Sequence, residues 1–484
     1  MIVRLAVRSL ITRPMRSAVL SIGFGLSIAV MAELLGVGEV ILEQAHSPAL
    51  AGGGDVVLSG GIGPLDGARY VLTSVLGSPA FASRVTAASP SRRGTLYLLS
   101  ANANGPVTVH GGIPSREQAV GDPEVAGQPG WKDEGRDRGW TNPEPGDLLR
   151  AMDRFHAAPA GASTGAPAPP KLADERRASV GGWAEWLYFN ARSADGTERF
   201  YLTFMTGAPD AAGMRPAYVR LQLNRRGTTS NYSATGSVND RLVLDRAPDI
   251  DVAGNSVRLA ADGTYHIFLD VRADGGLTTL TGALTLKPAS GRSIPPATIH
   301  GARSWLSGYV VPVLSGAFTG VLHAGADEVV VDAMAGYHDH NWGYWEGVRW
   351  QWGQVANGAV SIVYGRVFPP ADVADSSRIP GFLGVIGGDG PIAFSTDVTI
   401  REDDANGRPR TVTIESHSRR LEMTLRLDVA ESVQTAMGLT RDASGAMTFL
   451  QLGGVYHVVG RAGGRDINFT ARGSAETFRG QTPR

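Results

Sequence analysis

From Gly181 to the C-terminus, apolar and polar residues alternate in about eighteen short runs, and this alternation restricts the chain more than any other feature. Runs such as Trp186–Ala191, Arg199–Met205, Tyr265–Val271, Val348–Val355 and Tyr456–Arg461 are separated by turn formers, as in Ala273-Asp-Gly-Gly276 and Asp403-Asp-Ala-Asn-Gly407. So many short strands in roughly 300 residues imply sandwiches or closed barrels. A break near Lys287–Pro296 divides them into two barrel-like halves.

Composition narrows the chemistry. The chain has no cysteine and a formal net charge of −1. Disulfides, thiolate nucleophiles and cysteine-based metal sites are therefore excluded. With no overall basic field, a nucleic-acid partner is not expected.

The first residues are directed to a membrane. Met1–Ser17 carries Arg4, Arg8, Arg13 and Arg16 and no acid, an apolar run follows from Ala18 to Ala32, and Leu34–Leu42 continues it past Glu33. Residues 18–42 are expected to anchor the chain, with 1–45 as a single-pass segment of a bacterial inner membrane. The arginines hold the N-terminus in the cytoplasm and put the rest on the extracytoplasmic, periplasmic side. The alternatives are a cleaved signal, with Ala49-Leu50-Ala51 as its A-x-A site, and a buried soluble helix. Arg4-Leu-Ala-Val-Arg-Ser-Leu10, Arg13-Pro-Met-Arg-Ser17 and Gly36-x-Gly38-Glu39 resemble the first transmembrane helix of MacB/FtsX-type ABC-transporter permeases. The resemblance covers about a tenth of the chain, and no later window is apolar enough for the other permease helices. It implies a borrowed anchor and an ABC transporter as a partner.

Residues 46–175 read as irregular. Asp55–Ser59 and Thr95–Ser100 suit short strands, and Gly146–Phe155 suits a short helix with Asp147 at its start. The Pro/Ala/Gly-rich stretch 159–170 reads as a linker. It contains Gly161-Ala-Ser-Thr-Gly165, a literal hydrolase G-x-S-x-G. That motif needs a strand before it and a helix after it, and a linker supplies neither.

The densest polar and aromatic cluster is Gly336-Tyr-His-Asp-His-Asn-Trp-Gly343, followed by Tyr344-Trp-Glu346 and Trp350-Gln-Trp-Gly353. In an extended strand His338, His340 and Trp342 share one face, and Tyr337, Asp339 and Asn341 share the other. Three readings stay open: metal ligands completed by Asp332 or Glu346, an acid/base imidazole beside aromatic walls, and a buried polar corner joining the barrels. Asp339 suits an orienting partner for the histidines. In a second cluster, Trp183-Ala-Glu-Trp-Leu-Tyr-Phe-Asn190, Glu185 lies within an aromatic strand and must be paired or functional.

Glu185–Asn190, Gly336–Gly343 and Trp350-x-Trp-Gly353 together resemble the AttH/CrtC family. That family includes the carotenoid 1,2-hydratases (hydroxyneurosporene synthases), and the resemblance spans roughly residues 176–475. It implies two consecutive lipocalin-like barrels, 176–300 and 301–476, after the N-terminal helix. It also implies cofactor-free hydration, cyclisation or isomerisation of a lipophilic, isoprenoid or carotenoid-like substrate, with no metal. An acid protonates an alkene, aromatic faces hold the carbocation, and a positioned water captures it. The residues implied for catalysis are His338, Asp339, His340, Trp342, Glu185 and Tyr364. Those implied for substrate binding are Trp186, Tyr188, Tyr337, Trp345, Trp350 and Trp352. The hydratases carry a Tyr-x-Asp pair some two dozen residues after the motif, where this chain has Tyr364-Gly365-Arg366. Arginine cannot serve as a general acid at neutral pH. The competing function is a non-catalytic, lipocalin-like carrier of a lipid or lipophilic metabolite, associated with an ABC exporter.

Overall fold

The computed structural model describes residues 54–59, 84–99, 104–122, 145–159, 182–388, 390–435 and 447–480, with a few isolated positions before 145. The expected anchor at 18–42 and the linker from 160 on lie outside the described residues. Among the described residues, no helix is long and apolar enough to cross a membrane.

The chain divides into two units. The first, Met1–Leu65 with Val85–Asp137, holds a hairpin of β1 (Ser91–Leu99) and β2 (Asn104–Gly112), then the short helix α1 (Pro114–Ala119). The strand expected at Asp55–Ser59 is irregular, with no ladder partner to fix an extended conformation.

The second unit carries two sheets. The first is built from β3 (Trp183–Arg192), β4 (Glu198–Gly207), β5 (Met214–Arg225), β6 (Thr228–Asn239), β7 (Ile250–Val252), β8 (Asn255–Leu259), β9 (Tyr265–Ala273), β10 (Thr279–Pro288), β11 (Ile294–His300), β12 (Leu306–Ala324) and β13 (Asp327–Tyr344). Pairing runs β10-β12-β13-β3-β4-β5-β6-β9, and β9 also pairs with β10. Eight antiparallel strands thus close into a barrel, with β7 and β8 extending beside β9 and β11 lying on β12. Helix α2 (Pro145–Met152) precedes the barrel strands, and α3 (Asp240–Arg246) follows β6. Asn239 caps α3, its side chain accepting from the Leu242 N–H at 3.1 Å.

The second sheet orders β14 (Arg349–Ala356), β15 (Val360–Phe368), β16 (Phe382–Gly387), β17 (Gly390–Ser395), β18 (Val398–Ala405), β19 (Arg408–Ser418), β20 (Leu421–Thr435), β21 (Met447–Ala462) and β22 (Arg465–Gly480) as β17-β16-β15-β14-β22-β21-β20-β19-β18. Its end strands β17 and β18 do not pair, so it is a half-barrel. Local chemistry sets its hairpins. Asn406 and Gly407 both take positive φ, +54° and +74°, in the two-residue turn that joins β18 to β19.

Two expectations are corrected. The second barrel is open, because alternation specifies strands but not whether the last one meets the first. The division falls after Tyr344 rather than at 300/301, because β12 and β13 complete the first barrel by pairing with β10 and β3.

Burial along the strands shows which walls face what. In β9, Tyr265, Ile267, Leu269 and Val271 are buried while His266, Phe268, Asp270 and Arg272 are exposed, an ordinary barrel wall against water. In β3 nine of ten residues are buried, and β13 changes from alternating to continuous burial at Gly336. These stretches are covered on both faces, by the barrel interior on one and the half-barrel on the other. The tightest fit on the inner face is at Gly308, the register partner of Trp342. A methyl group there would lie 2.0 Å from Trp342 Cε2. Gly308→Ala is therefore expected to cost about 1–3 kcal/mol by overpacking, measured by urea unfolding together with a changed near-ultraviolet tryptophan signal.

Candidate active site

The alternation expected across Tyr337–Trp342 holds. Register pairs His338 with Phe189, His340 with Leu187 and Trp342 with Glu185 on the inner face of the barrel wall. Tyr337 with Asn190, Asp339 with Tyr188 and Asn341 with Trp186 take the outer face.

The inner face meets the segment that follows α2. The helix ends at Met152, three residues earlier than expected, and Asp153, Phe155 and His156 continue as non-helical chain. Asp153 is fully buried and accepts from His338 Nε2 at 2.8 Å, His340 Nδ1 at 2.8 Å and the Tyr265 hydroxyl at 2.9 Å. His338 Nδ1 donates to the Tyr188 carbonyl at 3.0 Å. His340 Nε2 reaches Glu185 Oε1 at 3.0 Å, which also accepts from His156 Nδ1 at 2.8 Å. Arg215, itself fully buried, donates to Glu185 Oε2 at 3.2 Å and to Asp240 Oδ1 at 2.6 Å. The result is a row of alternating sign: Asp153, His340, Glu185, Arg215, Asp240. Unpaired charges could not be buried as deeply as Asp153, His340, Glu185 and Arg215 are, so each of these four requires its neighbours. Phe189 stacks on His338 at 4.1 Å and His156 stacks on Trp342 at 3.9 Å.

The ionisation of this row follows from its neighbours. Burial alone would raise Asp153, but its two histidines overcome that and hold it well below the usual carboxylate range. Burial would likewise raise Glu185, and the bonds from His156 and His340 lower it instead. Burial depresses His156, with Glu185 opposing. His340 resists the pull of burial because two carboxylates flank it, and is pushed up to about 9. A raised histidine contributes stability that is complete below its unfolded value of 6.5 and is lost as pH rises through about 9. Unfolding free energy is expected to fall across that window by on the order of 3 kcal/mol. Urea titrations at stepped pH measure it, and His340→Gln should flatten the slope.

Of the metal readings, Asp332 and Glu346 are exposed and complete no ligand set. The third donor near Glu185 and His340 is His156, and these three atoms lie within 4.8 Å of one another. They could hold a metal ion, yet their contacts of 2.8 and 3.0 Å also suit hydrogen bonds.

The outer face forms the floor of a cavity of about 760 Å³ between barrel and half-barrel. Across neighbouring strands the floor runs Asp339, Tyr188, Thr203, Arg220 and, beside it, Asn341, Trp186, Met205, Tyr218. The half-barrel supplies Trp350, Trp352, Phe449, Gln451 and Glu476, and Trp345 comes from the turn between the sheets. Trp186 and Trp345 meet with centroids 4.5 Å apart, and Trp345 and Trp350 at 5.6 Å. A polar chain enters this aromatic wall. The Trp352 indole N–H donates to the Tyr309 hydroxyl at 2.8 Å, Tyr309 and Tyr337 are joined at 2.9 Å, and Tyr337 donates to Asp339 Oδ2 at 2.8 Å. Asn341 donates to Asp339 Oδ1 at 2.8 Å. Burial, then the neighbouring Glu476 charge, raises Asp339 well above the ordinary carboxyl range against those two donors.

Of the residues expected at a site, Asp339, Trp186, Tyr188, Trp345, Trp350 and Trp352 line the cavity, and Tyr337 supports Asp339 from behind. His338, His340, Trp342 and Glu185 lie on the opposite face of the same wall, turned away from the cavity. Asp339 therefore orients neither histidine. Tyr364 lies in the half-barrel core, its hydroxyl 3.0 Å from that of Tyr456, and is absent from the cavity lining. Sequence reasoning passed over Asp153, His156, Arg215, Tyr309 and Glu476. The signal for Glu476 was an acid two residues before an aromatic, Phe478, on the same face of an extended segment. For Asp153 the order of the chain held none.

No family profile matches the chain, and no curated protein matches it in sequence. Solved structures similar to it include an AttH-like protein from Nitrosomonas europaea, with TM-score 0.43 and 13% identity over 67% of this chain and 99% of that one. They also include CghA with Sch210972, with TM-score 0.42 and 14% identity over 63% and 89%. Kievitone hydratase from Nectria haematococca gives 0.41 and 12% over 62% and 89%. An AttH-like protein and a hydratase thus stand among the solved structures this chain is similar to.

Proposed function

We propose that the chain is a cofactor-free enzyme of AttH/CrtC type. It hydrates, cyclises or isomerises a lipophilic, isoprenoid or carotenoid-like substrate in the cavity between barrel and half-barrel. The observation that carries this reading is Asp339, a buried carboxyl that lines the cavity among tryptophan faces and is raised well above the ordinary carboxyl range. A neutral carboxylic acid can protonate an alkene, and the indole faces stabilise the tertiary cation that results. The Tyr337 and Asn341 donors fix the carboxyl and accommodate its charge once the proton has left. In the same reading residues 18–42 tether the protein to a bacterial inner membrane with the barrels on the extracytoplasmic side, and an ABC transporter is the partner.

The test is mass spectrometry of a total lipid extract from the native host after incubation with the full-length chain in mild detergent. The expected product is heavier by one water, or isobaric with changed retention. Lipid that co-purifies with the protein but stays unaltered would replace the enzyme by a carrier.

A further inference from the structure

We infer that Glu476 is the second catalytic group of the cavity, the base that takes a proton from the attacking water after Asp339 has protonated the alkene. This rests on the proposed reaction and adds the group that completes its proton balance. Glu476 stands on β22, in register with Trp352 of β14 and Gln451 of β21, and all three line the cavity. Asp339 lies on the barrel wall and Glu476 on the half-barrel, so the two carboxyls approach one space from different sheets. Tyr188 joins them: it is the register partner of Asp339 and hydrogen-bonds Glu476.

Neither the arginines lining the cavity nor the tyrosines raised by burial can take that proton. Arg220 and Arg366 are guanidinium donors with no acceptor. Burial pushes Tyr188, Tyr201 and Tyr309 up, so they keep their hydroxyl protons at neutral pH. Glu476 is surrounded by groups that suit a carboxylate. Oε2 accepts the Trp350 indole N–H at 3.1 Å, and Tyr188 and Gln451 donate as well. Each of two carboxyls in one apolar space opposes ionisation of the other, and the one with more hydrogen-bond donors ionises first. Burial raises both, Asp339 the further because it also feels Glu476.

The step balances. The Asp339 O–H bond breaks and a C–H bond forms on the alkene. Water then forms the C–O bond to the cation, and its O–H bond breaks toward Glu476. The alcohol leaves, and the proton returns from Glu476 to Asp339, so no oxidant or co-reactant is consumed. Isomerisation follows the same path, with Glu476 removing a proton from carbon next to the cation.

The experiment uses full-length wild type, Asp339→Asn, Glu476→Gln and Glu476→Asp with the same lipid extract, alongside infrared titration of protonated carboxyl bands. Glu476→Gln is expected to keep its bound lipid and lose product by about 10²-fold or more, with partial recovery in Glu476→Asp. The band that vanishes in Asp339→Asn is expected to titrate at lower pH in Glu476→Gln, where the neighbouring charge is gone. Glu476→Gln with wild-type yield, or an unmoved band, would overturn the assignment while an inactive Asp339→Asn left the acid in place. Full activity in Asp339→Asn, or an extract that wild type leaves unchanged, would remove the reaction and the pair together. If Glu476→Gln fails to fold, the Glu476 band of Asp339→Asn decides: a carboxylate at the pH of wild-type activity supports the base, and a carboxyl still protonated there overturns it.

Discussion

Asp339→Asn is expected to lower product formation by about 10²–10⁴-fold while leaving bound lipid within a few-fold of wild type. The amide keeps the size of the carboxyl and can still bond Tyr337 and Asn341, but it has no acidic proton to give. Lipid retention should hardly change because the area that holds a lipophile comes from Trp186, Trp345, Trp350 and Trp352. The pH profile carries the same information. Asp339 must be protonated and Glu476 ionised, so wild-type activity should rise with pH as Glu476 loses its proton and fall as pH passes through the raised value of Asp339. The residual rate of Asp339→Asn should lack that alkaline limb. Turnover that survives the substitution with its pH profile intact would place the acid elsewhere.

Asp153→Ala should cost about 3–5 kcal/mol, the range for removing one partner of a buried ion pair. Among the described residues Asp153 is the sole carboxylate bonded to His338, and it also holds Nδ1 of His340 and the hydroxyl of Tyr265. Its loss leaves a raised imidazolium flanked by Glu185 alone and three donors without an acceptor. It also releases the segment after α2 from the barrel interior, so denaturation and proteolysis near residues 153–156 should respond together. Equilibrium unfolding in urea measures the first and limited proteolysis the second. A loss below about 1 kcal/mol would mean that water or a shifted side chain satisfies the histidines.

Much of this arrangement was legible in the residues, for an identifiable reason. Alternation has a fixed period, so the assignment of His338, His340 and Trp342 to one face and Tyr337, Asp339 and Asn341 to the other needed only an extended backbone. Which face looks into the cavity was not legible, because both are buried and the difference is made by β14, β21 and β22 arriving from later in the chain. In the sequence the histidines are the conspicuous reactive groups. Their reactivity is taken up by Asp153, whose partner His340 lies 187 positions away and which follows a helix expected to run past it. Strand number was readable from turn chemistry, as at Asn406-Gly407. Closure was not, since it depends on β9 meeting β10 and on β17 missing β18.

The shared wall of β3 and β13 makes the barrel's internal charge and the chemistry outside it a single linked equilibrium. His340 and Asp339 are adjacent in the chain, point in opposite directions, and are separated by one thickness of backbone. The imidazolium is among the influences that ease ionisation of Asp339. Linkage is reciprocal. Whatever makes Asp339 negative, including the moment after it has given up its proton, tightens the hold of His340 on its own proton, and with it the ion row that fastens the segment after α2. A pH titration of barrel stability in wild type and in Asp339→Asn would therefore read the same free energy from the other side of the sheet.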